Sequence, residues 1–166
     1  RDAVKGKQRG IFSFDDVAAL KIKNLKKRIY TDIESIPAWK MKECIYKGVD
    51  DYEFLYDEWK ELNVGDRWGN SGWSAFFKNS FDMPERFKGK KVTLNVYFGG
   101  DSLLSLNGEP YQGLDPFRNS VLLTDCAKGD EHYDVDIESY YVWHSNESTI
   151  KTLSCWLCLL FLPCHS

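Results

Sequence analysis

Residues 65–116 read GDRWGNSGWSAFFKNSFDMPERFKGKKVTLNVYFGGDSLLSLNGEPYQGLDP, and the order of strands, turns and tryptophans along this stretch decides the fold. Trp73, Ala75, Phe77, Phe81 and Met83 alternate with Ser74, Phe76, Lys78, Ser80 and Asp82, the period-two pattern of a strand with one face mostly buried. Pro84 stops it. Lys88, Gly89 and Lys90 make a polar turn before Val92, Leu94, Val96 and Phe98 alternate with Thr93, Asn95 and Tyr97 in a second strand of the same kind. Gly99 and Gly100 end that strand. Residues 103–112 predict a hairpin, because Asn107-Gly108 tolerates positive φ at both centres of a type I′ turn.

Working outward, residues 121–123 predict a short strand, 124–128 a turn, and Gly129 a break before the last clear strand. There Tyr133, Val135, Ile137, Tyr141 and Trp143 share one side, and His132, Asp134, Asp136 and Glu138 the other. Upstream, Ser13 and Asp16 form a capping box for a helix whose apolar face is Ala18, Ile22, Leu25 and Ile29. The basic residues Lys21, Lys26, Lys27 and Arg28 fall on its solvated surface, and the last three favour its C-terminal end. Residues 30–65 are poorly periodic and carry Trp39, Tyr46, Tyr52, Phe54, Tyr56 and Trp59, which reads as a connector anchored by rings on the sandwich. The expected organisation is a helical segment over 1–35, that connector over 36–64, a β-sandwich over 65–152 and a hydrophobic tail over 153–166.

The 166 residues suffice for one domain with a real core but not for a large catalytic barrel as well. Hydrophobic residues make up 43% of the chain and aromatics 15%, enough to fold. A net charge of −3 supplies no general attraction to nucleic acid or an anionic membrane. The front of the chain carries no charged leader with an apolar run and a small-residue cleavage site, so a cytoplasmic location is expected. Cys44 and Cys126 lie in the patterned body while Cys155, Cys158 and Cys164 crowd the tail, which is not a spaced disulfide framework. The apolar run LSCWLCLLFLP of the tail has about half of the roughly 20 residues needed to span a bilayer.

In their order, Trp68-Gly69, Trp73, Met83-Pro84, the lysine-rich turn, Gly99-Gly100-Asp101 and LNGEPYQGLDP over 106–116 resemble the N-terminal region of glycoside hydrolase family 38 α-mannosidases, in their cytosolic and bacterial branch. The resemblance runs upstream through Ile36-Pro37-Ala38-Trp39-Lys40, Tyr46 and Phe54, and downstream through Val121-Leu122-Leu123-Thr124 to His144. It implies a mainly β fold, a galactose-binding-like jelly-roll β-sandwich preceded by an N-terminal α-helix and the aromatic-rich connector. In the family the catalytic aspartate, the histidine and aspartate zinc ligands and a His-Ile-Asp segment belong to a later domain. No residue here matches that motif. The pattern departs from the family near Cys155, so the tail is expected to be a truncated or frame-shifted end, lying before the catalytic domain begins.

The chemistry that residue types suggest is weak beside its structural alternatives. Cys155 and Cys158 have the CxxC spacing with Cys164-His165 following, but only hydrophobic residues separate them and no glycine turn brings four ligands together. Asp134, Asp136 and Glu138 share one strand face, whereas a hydrolase sets two carboxylates across a cleft. His132, His144 and His165 are not carried over as ligands, so neither a catalytic nor a metal site is expected in this chain. Loop aromatics of such jelly rolls can stack on a pyranose, and Trp68, Trp73, Asn107 and Gln112 are the natural candidates for binding carbohydrate, although a Trp-Gly tryptophan also serves as a packing anchor. The resemblance therefore implies a non-catalytic module that scaffolds the catalytic domain of an α-mannosidase acting on oligosaccharides. The alternative is an autonomous carbohydrate-binding module, and a separate enzyme on the same sandwich is a third reading. Expected partners are that catalytic domain, further subunits of a homo-oligomer and an oligosaccharide, with neither nucleic acid nor membrane. Zinc, or a similar divalent metal, is implied for the absent domain and no cofactor for this one.

Overall fold

The computed structural model describes residues 30–36, 38–63, 66–141 and 156–163, the last as backbone. Its strands in chain order are β1 (Tyr30–Ser35), β2 (Lys40–Gly48), β3 (Asp51–Phe54), β4 (Lys60–Glu61), β5 (Trp73–Asp82), β6 (Lys90–Asn95), β7 (Asp101–Leu106), β8 (Glu109–Leu114), β9 (Ser120–Thr124), β10 (His132–Tyr140) and β11 (Trp156–Pro163). They form two antiparallel sheets. The smaller has the order β1-β11-β6-β9 and the larger β3-β2-β5-β10-β7-β8, with β4 also paired to β2. The fold is mainly β and a β-sandwich, as the alternation in residues 65–116 implies.

The core follows from strand register. Met41 lies opposite Phe77, Phe77 opposite Ile137 and Ile137 opposite Leu104, a row of four buried side chains across the larger sheet. Val92, Leu94 and Val121 of the smaller sheet belong to the same buried cluster. Phe98 joins the row to the connector residues, with its ring centroid 4.6 Å from Phe77 and 5.0 Å, edge-on, from Trp39. Trp39 is itself fully buried and donates its indole N–H to the Ile36 carbonyl at 3.1 Å. Such interdigitated rings give the sandwich its main apolar contribution.

Two segments differ from the sequence reading. Residues 40–61, read as part of a connector, supply β2, β3 and β4 to the larger sheet. The tail, read as an aberrant end, places Trp156–Pro163 inside the smaller sheet, with Leu157 opposite Leu94 and Glu34. A continuous apolar run bounded by a proline suits a strand flanked on both edges, which periodicity alone does not distinguish from a stray hydrophobic stretch. Cys126, read as outside any disulfide framework, is disulfide-bonded, while Cys44 is free and buried. The helix expected over residues 13–29, the strand continuation through Trp143 and the residues Cys155, Cys164 and His165 lie outside the described residues.

Turn chemistry agrees with the sequence. Asn107 and Gly108 have φ of 51° and 85° and join β7 to β8, as the type I′ signal requires. Gly100 is needed for a different reason. A Cβ there would stand 2.3 Å from the Tyr140 carbonyl oxygen and 3.3 Å from the Trp68 ring.

Candidate functional site

The surface that departs most from an ordinary sandwich is the outer face of the larger sheet. One residue away from the core row, Lys40 lies opposite Lys78, Lys78 opposite Asp136 and Asp136 opposite Ser105. The next outward-facing row runs Lys42, Phe76, Glu138 and Leu103. Tyr52 and Phe54 of β3 extend this face beside Tyr46 and Cys44. Tyr52 and Phe76 meet edge-on at 5.0 Å, and the Tyr52 hydroxyl donates to Glu138 Oε1 at 2.6 Å. That bond to the carboxylate, before burial, pushes the Tyr52 hydroxyl pKa up. Cys44 is fully buried in this sheet. Burial first, then the charges of Glu138 and Glu43, push its thiol up to about 11, leaving it a poor nucleophile at neutral pH.

Lysines on this sheet rest on rings. Lys42 Nζ stands 4.4 Å from the Phe54 ring centre, Lys60 Nζ 3.6 Å from Tyr56 and Lys78 Nζ 3.9 Å from Trp59. An open groove of about 770 Å³ occupies the neighbouring part of the face, lined by Lys40, Lys78, Ser80, Asn107, Asp134 and Asp136 among others. Next to the groove residue Asp134, His132 sits between two carboxylates, Nδ1 at 2.7 Å from Asp82 and Nε2 at 3.2 Å from Asp134. Asp134 also accepts from the Ser80 hydroxyl at 2.5 Å. The bond to Asp82, then that to Asp134, raises the His132 pKa. The bonds from Ser80 and His132 lower that of Asp134.

The four residues named for carbohydrate do not come together. Trp68 is 3% exposed, donates its indole N–H to the Phe98 carbonyl at 2.7 Å and packs edge-on against Phe77 and Tyr141. It offers no open ring face to a sugar in this conformation. Trp73 begins β5, half-buried, opposite Ile45. Asn107 holds the hairpin tip, accepting from the Asp134 amide at 2.8 Å and donating its own amide to the Asp134 carbonyl at 2.8 Å. The tip and Trp73 lie at opposite ends of β10, about 20 Å apart at 3.3 Å per residue. Gln112 Nε2 donates to the Ser120 carbonyl at 3.2 Å. Beside it the Tyr111 hydroxyl donates to the Leu122 carbonyl at 2.7 Å, so both side chains tie the edge of one sheet to the edge of the other.

Sequence reasoning did not single out Glu43. It lies on the inner face of β2, 9% exposed, and its Oε1 accepts the Gly69 amide at 2.8 Å while Oε2 accepts the Tyr56 hydroxyl at 3.3 Å. Burial and the Glu43 charge push the Tyr56 hydroxyl up to about 12, against a lowering from its bond to the Glu43 amide. A carboxylate between Lys42 and Cys44 carries no local signal of this role, since its partners lie 13 and 26 residues away. His132 gives both ring nitrogens to Asp82 and Asp134, and no group of three or more His, Cys, Asp and Glu among the described residues is placed to hold a metal ion. Among the same residues no helix is long and apolar enough to cross a membrane.

The family model and two curated relatives are α-mannosidases, the family that the sequence motifs resemble. Alpha-mannosidase 2C1 of Homo sapiens is 32% identical over 75 residues, covering 44% of this chain and 7% of the relative. Alpha-mannosidase G of Dictyostelium discoideum is 27% identical over 97 residues, covering 55% of this chain and 9% of the relative. The matched region is thus under a tenth of either relative's length. Among solved structures, a Faecalibacterium prausnitzii β-glucuronidase superposes on 65% of this chain and 21% of its own, with a TM-score of 0.44 and 10% identity. The family described as "Alpha-mannosidase, jelly roll domain" matches residues 32–152. That span includes ten of the eleven described strands except for the first two residues of β1, and the chain belongs to this α-mannosidase jelly-roll domain family.

Proposed function

We propose that this chain is the non-catalytic jelly-roll module of an α-mannosidase and that it scaffolds the catalytic part of that enzyme. The observation that carries the reading is the family match over 32–152, joined to the small share of each mannosidase relative that the chain covers. In this reading the catalytic carboxylates, the divalent metal and the oligosaccharide site belong to the remainder of the polypeptide, in a cytoplasmic enzyme. The module contributes a rigid sandwich whose buried network around Glu43, Gly69 and Trp68 fixes the loop at one end of the sheet.

Two measurements test it. The purified chain, incubated with an aryl α-mannoside and zinc or cobalt, is expected to release no aglycone above background, and turnover would reject the non-catalytic assignment. Co-expressed with the catalytic remainder of a full-length relative, it is expected to co-purify and to raise the thermal midpoint of that remainder. Absence of association would remove the scaffold role.

A further inference from the structure

The open groove on the outer face of the larger sheet holds polar groups that the fold leaves unused. Its volume of about 770 Å³ falls within the roughly 300–1,000 Å³ of small-molecule sites. Among the described residues the Lys40 ammonium and the Asp136 carboxylate have no ion pair and no side-chain hydrogen bond. Asp134 takes the bonds from Ser80 and His132 on Oδ1, which leaves Oδ2 to accept. Asn107 receives the Asp134 amide on its side-chain oxygen, so its NH₂ group is the end left to donate. Lys78, whose ammonium lies over Trp59, adds N–H donors beside Lys40. We propose that the groove binds a short neutral oligosaccharide, a function separate from scaffolding and one that does not use Trp68, Trp73 or Gln112.

The chemical class follows from the mixture of groups. A hydroxyl both donates and accepts, so a row of ring hydroxyls meets the ammonium and amide donors as well as the carboxylate acceptors. The four charged side chains that line the groove are two lysines and two aspartates. Just outside it Glu61 lies opposite Lys40 and Asp82 pairs with His132, so no side presents a single sign to an ion. An anion would meet Asp134 and Asp136, and a cation Lys40 and Lys78. A peptide binding as an added strand needs an open sheet edge, whereas the floor strands β5 and β10 are each paired on both sides. Among the described residues none that line the groove is aromatic, so hydrogen bonds rather than ring stacking carry recognition. From Lys40 on β2 to Asn107 at the end of β7 the groove crosses three strand spacings, about 14 Å, which suits a chain of a few sugars rather than one.

Isothermal titration calorimetry on the 166-residue chain tests this with α-mannotetraose, cellotetraose and chitotetraose, and with inorganic phosphate and tetralysine as charged controls. At least one of the neutral probes is expected to bind with a Kd of about 0.1–1 mM, in keeping with an open site that lacks a ring platform. Asp136→Ala and Lys40→Ala remove exposed side chains that make no ion pair or side-chain hydrogen bond of their own among the described residues. Each is expected to weaken that binding about fivefold or more while circular dichroism and the thermal midpoint stay unchanged. Absence of saturable binding by all three oligosaccharides up to roughly 10 mM, tighter binding of phosphate or tetralysine, or sugar binding that both variants leave intact would each overturn the proposal. None of these readouts involves the catalytic remainder, so a failure here leaves the scaffold assignment standing, and a failed scaffold leaves the groove to be decided by the titrations alone.

Discussion

At the scale of single residues, the buried polar groups decide which side chains the sandwich depends on. Trp68→Phe keeps most of the ring volume but leaves the Phe98 carbonyl without its donor, and is expected to cost about 1–3 kcal/mol in urea unfolding. Thr93 shows the opposite case. Its hydroxyl is buried with no hydrogen-bond partner among the described residues, so Thr93→Val, nearly the same in shape, is expected to raise stability by about 1 kcal/mol. His132 gives the fold a pH dependence with a definite sign. Asp82 and Asp134 hold its proton more tightly in the folded than in the unfolded chain, so this contribution is complete below the unfolded value of about 6.5 and fades as pH rises through the higher folded value. His132→Gln is expected to flatten the fall in thermal midpoint across that window, and an unchanged slope would assign it to other groups. None of these roles is visible in the chain as a string, because the Phe98 carbonyl and Asp82 are brought to Trp68 and His132 only by folding, and so is the burial of Thr93.

At the scale of elements, legibility followed how cleanly each strand alternates. β5 and β10 put Ala75, Phe77, Val135 and Ile137 inward and mostly polar residues outward, and both were readable. β2 was not, because it buries Glu43 on its inner face and places Cys44 and Tyr46 outward, which scrambles the pattern and makes a strand look like a connector. β11 carries an unbroken apolar run and offers no period at all. Turn residues, by contrast, act locally: Asn107→Ala keeps φ near 51° without the polar side chain that lets Asn tolerate it and without the amide oxygen that accepts from Asp134. Its expected cost is about 1–2 kcal/mol, measured as a shift in the denaturation midpoint. Gly100→Ala is expected to be far worse and to prevent folded protein from accumulating, since its Cβ would collide with backbone at Tyr140. Gln112, expected on sugar, closes the sheet edges, and only the fold puts β8 beside the carbonyls of β9.

At the scale of the whole molecule, the family and the β-sandwich were legible in the order of motifs along residues 65–116. The sequence by itself determined the strand alternation, the type I′ hairpin and the kinship with α-mannosidases, because these depend on residues adjacent in the chain or on their order. Only the tertiary structure decided that Trp68 is a core ring, that Glu43 is a buried anchor and that Lys40, Lys78 and Asp136 stand in one outward row. The physical reason is that burial and cross-strand register depend on which strands become neighbours, and β5 and β10 are joined across about 50 residues of intervening chain.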